Sequence, residues 1–302
     1  MIEGTLYIGT DIGVFQTTNG GVNWMRLSNG MPRVASFMVR YHAATRSIVV
    51  ATHGRGIYRL NLPDAATTVS AASYIRSSLA VEGIVSAFGS NLATHIEAAV
   101  STPLPTQLAG TTVRLTDSAG TEHLAPLFYV SPGQINYLMP ATIAPGAVTV
   151  KIVSGDGTTS FGLETVRAVA PAFFTANSSG SGAAAGQVVR VRNGVQTELP
   201  ITQFDNVSKQ FVPAEIDMGP EGDQMVLVVY GTGMRRRTNL SNVRVTAGGL
   251  SLPVDYTGAT PGYVGLDQIN VALPRTLIGR GEIDVSATID GQTTNTMRIR
   301  IK

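Results

Sequence analysis

The chain has 302 residues, 43% of them hydrophobic and only 14% charged, with 33 glycines and no cysteine. That composition excludes a disordered chain, a disulfide scaffold, thiolate metal sites and cysteine nucleophiles, and it suits short strands and tight turns better than a charged helical bundle. A formal charge of +2, with one dense basic run at Arg235, Arg236 and Arg237, supplies too few phosphate-neutralising side chains for nucleic-acid binding, and no apolar run reaches the roughly 18 residues of a membrane span.

Met1-Ile2-Glu3-Gly4 leads directly into the strand-like TLYIGT, with no charged start followed by an apolar stretch. An exported parent protein is therefore expected to carry its signal upstream. Residues 4–62 read as strands, among them GVFQTT, NWMRLS, SFMVRYHA, SIVVAT and GIYRLN, set between Gly-, Asn- and Thr-rich turns. Within them, Thr17-Thr18-Asn19-Gly20-Gly21-Val22-Asn23-Trp24 resembles the Asp-box of BNR and sortilin-like β-propellers, with Asn19 in the place of Asp and Asn23 in the place of Thr. Both replacements can still make side-chain-to-backbone turn bonds. The resemblance implies a folding device on a hairpin with Trp24 packed into the blade, not a catalytic site. A blade has four strands and a propeller usually four or more blades, so residues 1–63 are expected to form a propeller-blade-like remnant of a larger protein.

Residues 64–73 read as a small-residue linker. Residues 74–177 then form a first module, with six or seven short strands separated by turns such as Asp117-Ser118-Ala119-Gly120 and Gly155-Asp156-Gly157. That is the pattern of an immunoglobulin-like sandwich. Residues 178–186, SSGSGAAAG, read as a flexible linker. Residues 187–302 form a second module ending in a hairpin at Asp290-Gly291.

The two modules repeat one another. IVSAFGSNL and QINYLMP return as MVLVVYGTGM and QINVALP, with Gly89 and Gly231 142 residues apart and Gln134 and Gln268 134 apart. The repeated apolar segments should therefore be equivalent strands. A catalytic centre is seldom built twice in tandem, whereas spacer, adhesion and binding modules often are. Residues from about 69 to 302, with TVSAASY, IVSAFGSNLA, APLFYVSPGQINYLMP, APAFFTANSSGSG, VVYGTGM and DYTGATPGYVGLDQINVALP in order, are similar to the uncharacterised tandem C-terminal region of large secreted soil-bacterial proteins. The resemblance implies extracellular or cell-surface placement and an Ig-like, accessory role, and it carries over no catalytic or ligand residues.

Candidate chemistry is sparse. His42, His53, His95 and His123 have no metal-ligand spacing. GTDIG and GSGAAAG lack the Gly-Lys-Ser/Thr or strand-to-helix context of phosphate loops. The turn Asp217–Asp223 has carboxylates for a structural calcium at Asp217, Glu221 and Asp223, against the reading of an ordinary solvated turn. The amide pairs Gln134/Asn136 and Gln268/Asn270 sit two apart and so face one side of a strand, either to satisfy buried loop groups or to meet a sugar. Arg235–Arg237 reads as a solvated loop, with contact to an anionic polysaccharide or a neighbouring domain as the alternative.

The fold is thus expected to be all-β, a propeller-blade-like N-terminal sheet followed by two immunoglobulin-like β-sandwiches. No catalytic, cofactor-binding or metal-binding residue is assigned, and no cofactor. The function expected is that of non-catalytic spacer, adhesion or interaction modules with a protein or polysaccharide partner, without nucleic acid or membrane insertion, and with a homodimer through the N-terminal sheet edge as one arrangement. The rival is the accessory tail of a propeller-type glycoside hydrolase, carbohydrate-binding through exposed aromatics such as Tyr256 and Tyr263.

Overall fold

A computed structural model describes residues 5–17, 19–27, 30–42, 45, 47–62, 64–76 and 79–302. Met1–Gly4 and Thr18 of the box-like turn lie outside the described residues. The chain is all-β, and among the described residues helical structure is confined to 3-10 turns such as Leu240–Asn242 and Arg275–Leu277.

The N-terminal segment forms two antiparallel meanders where a single blade sheet was expected. One is β1 (Leu6–Thr10), β2 (Gly13–Thr17) and β3 (Met25–Leu27); the other is β4 (Ser36–His42), β5 (Ser47–Thr52) and β6 (Ile57–Asn61). They share one core of Val14, Leu27, Met31, Ile48, Val50 and Leu60, because alternation along β2 and β5 turns their β-branched residues to one side. Gly9 lets β1 approach β4, since a Cβ there would lie 2.5 Å from the Ser36 carbonyl oxygen.

The stretch that follows is not a bare connection. It forms β7 (Asp64–Ala65) and β8 (Thr67–Ser70), with Ala66, Thr68 and Val69 buried. The first module continues with β9 (Leu79–Ala80), β10 (Ile84–Phe88), β11 (Glu97–Ala98), β12 (Thr112–Thr116), β13 (Glu122–Leu124), β14 (Leu127–Val130), β15 (Gln134–Leu138), β16 (Gly146–Val153) and β17 (Thr159–Arg167). One sheet runs β11-β14-β15-β10-β8 and the other β13-β12-β16-β17-β7, with β9 also beside β17.

The second module holds β18 (Ala172–Phe173), β19 (Gly186–Arg192), β20 (Val195–Pro200), β21 (Thr202–Asp205), β22 (Gln210–Pro213), β23 (Glu215–Ile216), β24 (Gln224–Thr232), β25 (Val243–Ala247), β26 (Leu250–Leu252), β27 (Val254–Ala259), β28 (Asp267–Ala272), β29 (Gly281–Ile289), β30 (Gln292–Thr293) and β31 (Met297–Ile301). Its sheets run β20-β19-β24-β28-β27 and β23-β31-β29-β25-β26, while β21 and β22 form a separate hairpin. Alternating residues of both sheets, including Leu227, Val229, Ile269, Val271, Val245, Val285 and Ile299, close into one buried core, which makes this module a β-sandwich. The expected hairpin forms at Asp290-Gly291, both in the left-handed region, joining β29 to β30.

The central strands of the two modules correspond. The repeated apolar segments are β10 and β24, and each lies beside the strand carrying the repeated glutamine, β15 or β28. In the opposite sheets β12, β16 and β17 match β25, β29 and β31 in order. The short strand just before the repeated segment, β9 or β23, pairs parallel with the last strand of its module.

By compactness the chain divides into two units, Met1–Thr68 with Ala87–Ile135 and Gly146–Thr165, and Val69–Ser86 with Asn136–Pro145 and Val166–Lys302. In the first, the box-like turn closes as its residue types require. Thr17 Oγ1 accepts from the N–H groups of Asn19 and Gly21 at 3.3 and 3.0 Å, and Asn19 Oδ1 accepts from the Asn23 N–H at 3.0 Å. The amide nitrogens of Asn19 and Asn23 donate to the carbonyls of Leu163 and Glu164, each at 3.4 Å. An ionised carboxylate in place of Asn19 would have no donor for the Leu163 carbonyl, so that departure from the Asp-box pattern falls where the turn meets β17. Trp24 is 38% exposed, so its ring is not packed away as the resemblance implied.

In the second unit the Ser/Gly/Ala stretch 178–186, flexible by composition, is packed. Thr175 Oγ1 accepts from the N–H groups of Ser179 and Gly180, Ala183 and Ala184 are buried, and Gly180 approaches the Ser73 carbonyl. Small side chains here serve close backbone contact and not freedom of motion.

Candidate functional site

The outward face of the β20-β19-β24-β28-β27 sheet gathers the polar constellation that the repeat singled out. Alternation that points Leu227, Val229, Ile269 and Val271 into the core turns Val228, Tyr230, Gln268 and Asn270 the other way. Register then sets them in rows, Tyr230 opposite Gln268 opposite Gly258, and Val228 opposite Asn270 opposite Tyr256. The Gln268 Nε2 donates to Asn270 Oδ1 at 3.0 Å, which fixes both amides on the face and leaves each with further donor or acceptor capacity. In the first module Asn136 Oδ1 accepts from Ser86 Oγ at 2.8 Å. Asn136, Gln268 and Asn270 thus each make a bond to a neighbour on the sheet.

Two tyrosines border these amides. Tyr256 lies along its own strand, its Oη donating to the Ala259 carbonyl at 2.7 Å and its ring within 3.4 Å of where a Gly258 Cβ would stand. Glycine at that place leaves room for the phenol end of the ring. Tyr256 and Tyr263 are 38% and 66% exposed. Burial, then the Glu198 carboxylate and Tyr263, hold the Tyr230 phenol above its ordinary pKa, so it stays a neutral hydroxyl donor. Half-buried aromatic carbon next to amides and phenols can stack on the C–H face of a sugar ring and hydrogen-bond its hydroxyls. Sequence reading named Tyr256 and Tyr263 and both amide pairs; Tyr230 it did not single out, although its place two residues from Val228 on an alternating strand was the available signal.

Arg235–Arg237 is not the solvated loop expected. Arg235 Nε meets the buried Asp267 carboxylate at 2.7 Å, and Arg236 pairs with Glu82 and donates to the Ala141 carbonyl. Asp267 also accepts from the Met234 N–H at 2.7 Å, while burial lifts its pKa above the ordinary value against these bonds. The run fastens the loop after β24 to its neighbours in the second unit.

In the acidic turn 217–223, Asp217 and Asp223 meet cations, while Glu221 is exposed. Asp223 receives both Arg192 nitrogens, at 2.8 and 2.7 Å, Asp217 receives Lys302 Nζ at 3.0 Å, and the Arg275 guanidinium donates to the carbonyls of Met218, Gly219 and Pro220. Among the described residues no group of three or more His, Asp or Glu is placed to hold a metal ion. The histidines are apart: His42 bonds Thr45, His53 meets the Phe37 ring edge-on, His95 bonds Thr94, and His123 pairs with Asp117 at 2.9 Å in the β12–β13 turn.

No protein-family model matches the chain, and no curated protein matches it in sequence. Among solved structures it is similar to the Bacteroides ovatus mixed-linkage glucan utilization locus SGBP-B in complex with a mixed-linkage heptasaccharide, at 10% identity and a TM-score of 0.34, over 100% of this chain and 64% of that one. It is also similar to bovine butyrophilin at 9% identity and a TM-score of 0.23, over 78% of this chain and 99% of that one. The chain spans 64% of the length of the first. At these scores neither likeness transfers a ligand or a site.

Proposed function

We propose that the chain is a non-catalytic interaction segment of an exported or surface-associated bacterial protein, and that its second sandwich binds polysaccharide on the sheet face bearing Tyr230, Tyr256, Gln268 and Asn270, with Tyr263 at its border. The carrying observation is the exposed Tyr256, its phenol end reaching back over Gly258, beside the bonded Gln268–Asn270 pair. Modules at about 74–177 and 187–302 serve as repeated platforms on one backbone plan, and 1–63 is a propeller-derived remnant whose open sheet edges can pair with a second copy or with further blades. The box-like turn favours, as a second reading, that the parent protein is a propeller-type glycoside hydrolase and this segment its accessory tail.

Affinity electrophoresis through gels cast with a panel of neutral and acidic polysaccharides tests the binding function. The chain should be retarded by at least one, and Tyr256→Ala and Tyr263→Ala should each lessen the retardation while leaving the melting temperature in place. Absence of retardation across the panel contradicts it. Glycosidase, esterase and protease assays should stay at background, and turnover abolished by a single Asp or Glu substitution would overturn the non-catalytic reading.

A further inference from the structure

The near-neutral charge of the whole chain conceals a basic segment. Residues 12–63 hold Arg26, Arg33, Arg40, Arg46, Arg55 and Arg59 and no aspartate or glutamate. Among the described residues no carboxylate pairs with Arg40, Arg55 or Arg59. Two of these lie on the outer face of the β4-β5-β6 meander. Alternation that sends Ile48, Val50 and Leu60 into the core turns Val49, Ile57 and Arg59 outward. Register then sets two rows across the three strands, Met38 opposite Ala51 opposite Ile57, and Arg40 opposite Val49 opposite Arg59. Arg40 and Arg59 are two strands apart, about 10 Å. Met38 and Ile57 are 54% and 74% exposed. These rows are aliphatic and cationic, and they offer no amide or hydroxyl to read the hydroxyls of a sugar.

β6 is an edge of this sheet. The Thr52 N–H donates to the Gly56 carbonyl at 3.0 Å, so the hydrogen-bonded pairs that follow in register are Val50 with Tyr58 and Ile48 with Leu60. The N–H and C=O groups of Ile57 and Arg59 therefore point away from β5, to the open edge. The residues that place their side chains on the basic face also present their backbone for one more strand. A second β6 is a poor occupant, since antiparallel pairing centred on Arg59 sets guanidinium opposite guanidinium.

We propose that the β6 edge takes an extended segment of a partner protein as an added antiparallel strand, in which an acidic residue and an apolar one stand two apart. The acidic residue lies beside Arg59, with Arg40 on the same face, the apolar one lies beside Ile57, and their backbones bond those of Arg59 and Ile57. This deepens the reading of residues 1–63 as an open-edged segment and is independent of the polysaccharide face, so either can fail without the other.

The test is fluorescence anisotropy of the full chain with a labelled peptide of Thr-Glu-Thr-Val in three repeats, with the same peptide carrying Lys for Glu or Ser for Val, and with one N-methylated at Glu and Val. The Glu peptide should bind at least about tenfold more tightly than the Lys and N-methylated ones, more weakly as salt rises, and should slow hydrogen exchange of the Ile57 and Arg59 amides. Arg59→Glu should reverse the preference to the Lys peptide, and Ile57→Ser should weaken the Glu peptide several-fold, while Tyr256→Ala leaves its binding unchanged. Arg59 Nε also donates to Ser47 Oγ at 3.2 Å, so if Arg59→Glu lowers the melting temperature, Ile57→Ser and Arg40→Gln carry the test. The proposal is overturned if the Glu peptide does not bind, if the Lys or N-methylated peptide binds equally well, if protection falls on other strands, or if sedimentation shows a dimer whose Ile57 and Arg59 amides are protected without peptide.

Discussion

Gly233 and Gly291 have the same backbone angle, φ +77°, and opposite surroundings, so alanine at the two positions separates strain from crowding. At Gly291, in the hairpin turn, nothing lies within 4 Å of an added Cβ. Gly291→Ala should therefore cost only the left-handed conformation, about 1 kcal/mol. At Gly233 the same Cβ meets the Ala170 carbonyl and lies 2.8 Å from the Ala80 Cβ, both fixed by the chain and unable to swing aside. Overpacking of this kind adds about 2 kcal/mol. Displacing the loop also weakens the Ala170 N–H bond to the Gly233 carbonyl, 3.2 Å long, worth about 1 kcal/mol. Gly233→Ala should thus cost about 3–5 kcal/mol against about 1 for Gly291→Ala, a gap of several degrees in melting temperature at about 2–4 °C per kcal/mol. Urea unfolding followed by far-ultraviolet circular dichroism reads both variants. Equal costs, within about 0.5 kcal/mol, would refute the close approach of the loop after β24 to Ala170 and Ala80.

Asn19→Asp introduces the Asp of the Asp-box pattern but removes the donor to the Leu163 carbonyl, so it should destabilise the N-terminal meanders by about 1 kcal/mol, read by the fluorescence of Trp24, the one tryptophan. Hydrogen bonds from Arg192 lead the causes that hold Asp223 below its ordinary pKa. A lowered folded pKa gives stability that is present above the unfolded value of 3.8 and lost as pH falls through the folded one, so Arg192→Gln should be destabilised at neutral pH and converge on the parent in acid. Asp267 runs the other way: burial raises its pKa, so its contribution is full below 3.8 and lost as pH rises through the folded value, and Asp267→Asn should flatten the fall in stability from acid towards neutrality. Leu227→Ala, in the core of the second sandwich, should cost about 2–5 kcal/mol in urea unfolding.

The repeat was legible because it lives in alternation and turn chemistry, which act locally: MVLVVYG and QINVALP name their own buried faces, and Asp290-Gly291 names its turn. What failed to show was decided by distant partners. Asp64-Ala65 and Thr67–Ser70 look like linker in composition and become strands because β17 and β10 offer them edges. SSGSGAAAG reads as flexible until Thr175 caps it and Ala184 is buried. Arg235 and Arg236 read as solvated because Glu82 and Asp267 lie 153 and 32 residues from Arg235 in sequence. Tyr256 and Tyr263 were identifiable as aromatics, but the reach of the Tyr256 phenol depends on Gly258 two residues on, where a side chain would crowd it.

The most direct measurement of the binding claim is an amide chemical-shift titration of the chain with whichever polysaccharide retards it, shortened to soluble oligosaccharides. The largest changes should fall on Tyr230, Tyr256, Gly258, Tyr263, Gln268 and Asn270. Changes confined to other strands, or no change at saturating oligosaccharide, would contradict the account.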